Sequence, residues 1–105
     1  MKSRKVFFLG LFIIISILIS CNKDNNPPVI TVLGSDPMFH CIGNEFIDPG
    51  ATAHDDEDGD LTDKINTSIN VNTEVEGTYT VSYTVEDNAG NAAAATRTVD
   101  VIYCK

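Results

Sequence analysis

The chain has 105 residues, with 15 acidic against 7 basic side chains and a net charge of −8 at neutral pH. That length holds one domain, since single cores take roughly 50 to 200 residues. The acidic balance argues against nucleic acid as a partner, because it repels phosphate backbones. At the start, Lys2, Arg4 and Lys5 precede Val6 to Ile19, a run without a charge. A basic stretch followed by an apolar one is the pattern of a secretory signal. Crossing the hydrocarbon as a helix takes about 20 apolar residues, so the run predicts export and not a membrane span. With residues 1–20 removed, Lys23, Lys64, Arg97 and Lys105 face all fifteen acids, a net charge of −11.

The signal closes on Leu18-Ile19-Ser20-Cys21, which resembles the lipobox of bacterial lipoproteins. The resemblance implies diacylation of the Cys21 thiol, cleavage before it, and acylation of the new amine. The alternative is an ordinary thiol beside a conventional cleavage site. Each buried methylene contributes about 0.8 kcal/mol, so two or three acyl chains give a stable anchor where one is marginal. The expected partner of this segment is therefore a membrane, reached through covalent lipid. Residues 21–28, ending in Pro27-Pro28, are polar and suit an exposed tether. In lipoproteins an aspartate directly after the lipidated cysteine resembles an inner-membrane retention signal; here Asn22 stands there, so in a cell with two membranes the outer membrane is the expected destination.

From Val29 onward short β-prone runs alternate with turn residues, and no stretch has helical spacing. Strands are predicted at Val29 to Leu33, Met38 to Ile42, Gly50 to His54 and Ile65 to Val71. The longest is Thr78 to Glu86, where Tyr79, Val81, Tyr83 and Val85 share one face and Thr78, Thr80, Ser82 and Thr84 the other. Another runs from Ala93 to Tyr103, with Val99, Val101 and Tyr103 on a face. Asn88-Ala89-Gly90-Asn91 between them supplies hairpin turn chemistry. The expected architecture over residues 29–105 is all-β, an immunoglobulin-like β-sandwich of about seven strands.

Ile30-Thr31-Val32, Asp48-Pro49-Gly50-Ala51, Asp58-Gly59-Asp60-Leu61-Thr62, Gly77 to Val85 with Asp87-Asn88-Ala89-Gly90-Asn91, and Ala95-Thr96-Arg97-Thr98-Val99 occur in that order. The succession resembles the bacterial Ig-like domain of an insecticidal crystal protein and many cell-surface proteins, and it is similar to the hyalin repeat. The resemblance implies a fold and an extracellular setting, and no particular activity.

Cys41 and Cys104 remain after Cys21, an even pair in an exported domain, and a disulfide is the natural reading. Two free thiols, or a zinc site with His40 and His54, are the alternatives; His40 would point to the strand face opposite Cys41. The run Asp55-Asp56-Glu57-Asp58-Gly59-Asp60 invites calcium, since hard cations want several carboxylates on a bent loop. It is not an EF-hand, because with Gly59 at the sixth position His54 and Ile65 occupy the places of the first aspartate and the last glutamate. The candidate calcium ligands are Asp55, Asp56, Asp58, Asp60 and Asp87, with a solvated acidic turn as the alternative. Tyr79 after Gly77-Thr78 resembles the tyrosine corner of Ig-like sandwiches, a structural role. Asn66-Thr67-Ser68 matches a glycosylation acceptor, a short pattern that is more often accidental in a bacterial lipoprotein.

No nucleophile and base can be paired from two histidines, one beside a cysteine it cannot face, and the carboxylates are expected in an exposed loop with no apolar cleft. No enzyme is expected. The leading expectation is a membrane-anchored binding or adhesion module for a protein or glycan. The alternatives are a passive subunit of an envelope complex and a small periplasmic inhibitor.

Overall fold

Strict alternation builds the centre of the molecule. In the computed structural model, which describes residues 25–105, the predicted hairpin forms between strands β6 (Gly77–Glu86) and β7 (Ala92–Ile102). They pair antiparallel from Gly77 opposite Val101 to Glu86 opposite Ala92. Every second residue faces inward, so Val81, Tyr83, Val99 and Val101 are buried while Thr78, Thr80 and Thr84 stay in water. The signal peptide, the lipobox with Cys21, and residues 22–24 of the tether lie outside the described residues.

The other strands are β1 (Val29–Val32), β2 (Met38–Cys41), β3 (Ala51–Asp55), β4 (Gly59–Asp60) and β5 (Asn66–Asn70). Two sheets result, ordered β1-β3-β4 and β2-β7-β6-β5. Ile30 and Val32 of β1 pack on the cluster of Val81, Tyr83, Val99 and Val101, and Ala53, Leu61 and Val85 form a second cluster nearer the β3–β4 end. The described residues form a seven-stranded Ig-like sandwich. β2 runs parallel to β7, Met38 opposite Val99 through Cys41 opposite Ile102. That juxtaposition sets Cys41 and Cys104 5.4 Å apart at Cα, and they are joined as a disulfide.

Two details depart from the sequence expectation. Tyr103 is 70 % exposed and not on the core face, because β7 ends at Ile102 and the chain leaves the ladder before the next inward position. The acidic run is not a plain loop either: β3 continues through Asp55, and Gly59–Asp60 pair back onto it, with His54 opposite Asp60 and Asp55 opposite Gly59. A positive φ of 91° at Gly90 closes the β6–β7 turn, where the Asp87 amide donates to Asn91 O. Among the described residues no helix is long and apolar enough to cross a membrane.

Candidate functional site

The inward row of β7 runs Ala95, Arg97, Val99, Val101, so the two-residue period drives a guanidinium into the core, where Arg97 is 0 % exposed. Its Nε donates to Asp48 Oδ1 at 3.1 Å and to the Tyr83 hydroxyl at 3.3 Å. Nη1 donates to Ser35 O, and Nη2 to Leu33 O and Gly50 O. Asp48 also accepts the Tyr83 hydroxyl at 2.7 Å and the Gly50 amide at 3.1 Å. The cluster thus fastens the β1–β2 loop and the Asp48-Pro49-Gly50 turn to the centre of the four-stranded sheet. Gly34 allows the loops to close there, since a Cβ on it would meet Pro49 Cγ at 3.0 Å with φ at +81°.

Burial, and then the bond to Asp48, push the Tyr83 hydroxyl above its ordinary pKa of 10.0. For Arg97 burial works against the charge, but the bond to Tyr83 and the charge and bond of Asp48 outweigh it and hold the guanidinium protonated. A carboxylate, a phenol and an arginine that satisfy one another this fully make a structural clamp. It leaves no group poised for chemistry.

At the β3–β4 end of the sandwich two inward rows finish in carboxylates, Ala51-Ala53-Asp55 on β3 and Val81-Tyr83-Val85-Asp87 running off β6. Asp55 is 1 % exposed and Asp87 5 %. Oxygens of Asp55, Asp58 and Asp87 lie within 4.8 Å of one another. Asp55 Oδ2 accepts the amides of Glu57 and Asp58, both at 2.9 Å, while Oδ1 is buried without a hydrogen-bond partner. Asp58 Oδ2 accepts the Asn88 amide at 2.7 Å, tying the β3–β4 turn to the β6–β7 turn. Asp87 accepts the Asn91 amide at 2.8 Å and its Nδ2 at 3.0 Å.

Of the five acids singled out from sequence, then, three converge. Asp56 is exposed and outside the group. Asp60 turns to its own loop, taking the Thr62 hydroxyl at 2.6 Å and the Thr62 amide at 3.0 Å, bonds that lower its pKa from the ordinary carboxylate value. The expectation that these carboxylates sit in an exposed loop fails for Asp55 and Asp87, because strand parity carries both into the interior. His40 and Cys41 do not join a zinc site: Cys41 is in the disulfide, and His40 Nε2 lies 2.9 Å from Asn44 O with its ring edge-on to Phe46. Tyr79 forms the corner, its hydroxyl donating to Val75 O at 2.7 Å. Asn66-Thr67-Ser68 lies on the exposed strand β5.

The outer face of the four-stranded sheet carries a further feature. Threonine and serine project along β6, and Thr78 is opposite Asp100 on β7, its hydroxyl donating to Asp100 Oδ1 at 2.8 Å. Phe39 of β2 is opposite Asp100 on the other side and 67 % exposed. Phe39, Glu76, Thr78, Asp100 and Ile102 line a shallow concavity.

A family model described as bacterial surface protein, Ig-like domain, matches residues 30–101. The chain belongs to that bacterial surface Ig-like family. Among solved structures, the domain is similar to a lipoprotein from Bacteroides thetaiotaomicron, at 24 % identity and TM-score 0.63, over 74 % of this chain and 39 % of that one; this likeness is one of fold. It is also similar to two structures from Clostridium perfringens ZmpB, each at 30 % identity. One holds CBM51-2 in complex with GlcNAc and INT domains, with TM-score 0.57 over 73 % of this chain and 17 % of that one. The other holds the M60 catalytic domain with CBM51-1 and CBM51-2, with TM-score 0.58 over 74 % of this chain and 8 % of that one. The chain therefore spans well under half the length of each. No curated protein matches it. Within Ig-like sandwiches the family shown is the bacterial surface one, and nothing in these comparisons points to the insecticidal crystal protein or the hyalin repeat.

Buried arginine is what sequence reasoning missed in this bacterial surface Ig-like domain. The signal was present, since Arg97 has the same parity as Val99 and Val101. The same extension by two residues places Asp55 after Ala53 and Asp87 after Val85.

Proposed function

We propose that this chain is a lipid-anchored protein of the bacterial cell envelope whose Ig-like domain is a non-catalytic module for binding glycan. The observation that carries this reading is the outer face of the β2-β7-β6-β5 sheet. Sugars offer hydroxyls and apolar C–H faces. The Thr78–Asp100 pair, with the Thr78 proton given to Asp100, offers acceptor oxygens to sugar hydroxyls, and the exposed Phe39 ring beside it supplies an apolar plane. The depression is shallow and open, which suits an extended chain lying across it better than a reaction that must exclude water. The ZmpB structure, in which CBM51-2 holds GlcNAc, supports a glycan-rich setting for domains of this kind.

Affinity electrophoresis through gels containing GlcNAc polymers or envelope polysaccharide tests this reading. The wild-type protein is expected to be retarded, and Phe39→Ala or Asp100→Ala to lose affinity at least tenfold, about 1.4 kcal/mol, with melting unchanged in Phe39→Ala because that ring is exposed. Free migration of the wild type through every polysaccharide would contradict it.

The anchor rests on the lipobox at Cys21, and Asn22 after it favours the outer membrane in a cell that has two membranes. Cys21→Ser is expected to leave an unprocessed precursor without palmitate label; full labelling of that variant would remove the anchor. A second reading has its own observation. The edge strand β5 is uncharged and exposed at all five residues, open to strand addition by a neighbouring subunit. Capture of one envelope protein under every growth condition, without glycan binding, would favour it.

A further inference from the structure

We propose that Asp55, Asp58 and Asp87 hold a calcium ion that locks the β3–β4 turn to the β6–β7 turn. The inference is independent of the glycan reading. A cluster of acids alone would not carry it; the deciding feature is Asp55. Its carboxylate is 1 % exposed, and one of its oxygens, Oδ1, has no hydrogen-bond partner although the other accepts two amides. A buried acceptor left unpaired is costly, and native structures resolve such atoms with a partner, a water or an ion. The same carboxylate has an oxygen inside 4.8 Å of oxygens of Asp58 and Asp87. None of these can donate to it when ionised. A cation satisfies all three.

The chemistry selects calcium. All three side chains offer hard oxygen donors, and Ca²⁺ bonds at 2.3–2.6 Å set opposing ligand oxygens up to about 5 Å apart, so one ion can touch every member. Three carboxylates can supply between three and six oxygens, and water or loop carbonyls complete the six to eight that calcium takes. The ligands come from both sheets, Asp55 and Asp58 from the β3–β4 turn and Asp87 from the end of β6, so the ion would join elements linked there by the Asp58–Asn88 bond.

Chelator-treated, purified protein is titrated with CaCl2 by calorimetry, and its melting is followed with and without the ion. One site per chain is expected, with a melting rise of about 5 °C or more at saturation. Sodium chloride at matched ionic strength should not reproduce that rise. Asp58→Asn should weaken calcium binding at least tenfold while the protein stays folded by circular dichroism, whereas Asp56→Asn and Asp60→Asn should bind as the wild type does. Because Asp55 also holds the turn amides, Asp58→Asn and not Asp55→Asn is the deciding variant. Absence of calcium binding at millimolar concentration, a melting rise equalled by sodium, or undiminished binding in Asp58→Asn would overturn the proposal.

Discussion

Arg97→Ala should destabilise the domain by about 3–5 kcal/mol, the range found when one partner of a buried ion pair is removed. The loss has two parts. Asp48, whose side chain is 7 % exposed, loses its countercharge, and the carbonyls of Leu33 and Ser35 lose the guanidinium donor, as does Gly50 O, which keeps the Leu33 amide. For a domain whose total stability falls in the usual span of about 5–15 kcal/mol, that is a large fraction. Arg97→Lys should rescue little, because a point charge on a flexible stem cannot reach Asp48, Tyr83 and three carbonyls as the planar fork does. Chemical denaturation of the two variants reads the effect directly. A change below about 1 kcal/mol for Arg97→Ala, the level of an exposed pair, would mean that the clamp does not hold the loops. Asp48→Asn added to Arg97→Ala should restore part of the loss, since the double variant no longer buries an uncompensated carboxylate.

The disulfide ranks next. It closes a loop spanning 63 positions, for which the chain-entropy relation gives about 4 kcal/mol, with measured values commonly 2–4. β2 has four residues and, among the described residues, pairs with β7 alone, so the bond holds a short edge strand. Cys41→Ala should therefore lower the melting temperature by roughly 10 °C or more under oxidising conditions, at about 4–8 °C per kcal/mol for a domain of this size. Reductant should bring the wild type down to the variant and leave the variant unmoved. Equal melting of wild type and variant without reductant would show that the bridge contributes nothing.

Most of the sandwich was legible because period-two alternation is a local property. Tyr79 to Val85 announces an inward face without knowledge of the partner sheet, and Asn88-Ala89-Gly90-Asn91 announces the turn that folds β6 back on β7. The pairing of Cys41 with Cys104 followed from counting thiols in an exported domain. What stayed hidden depended on contacts between distant segments. Parity places Arg97 on the inward row, but its partner Asp48, 49 positions away, is found only when the fold brings the two together. Asp55 reads as one more acid in a polar run, because composition outweighed parity in that reading, although parity alone puts it beneath Ala53. Asp87 is 32 residues from Asp55 in the chain and reaches it only when the two sheets close. Tyr103 failed in the opposite direction: its parity was correct, but the strand ended one residue earlier, and no sequence feature marks that end.

Amide shifts of the isotope-labelled domain, followed while a GlcNAc oligosaccharide is titrated in, test the binding role most directly. Concentration-dependent shifts are expected at Phe39, Thr78, Asp100 and Ile102 on the outer face of the four-stranded sheet, with the Arg97 cluster and the β3–β4 turn unmoved. A spectrum that does not change at saturating sugar, or shifts confined to the opposite sheet, would contradict the assignment of that face as the glycan site.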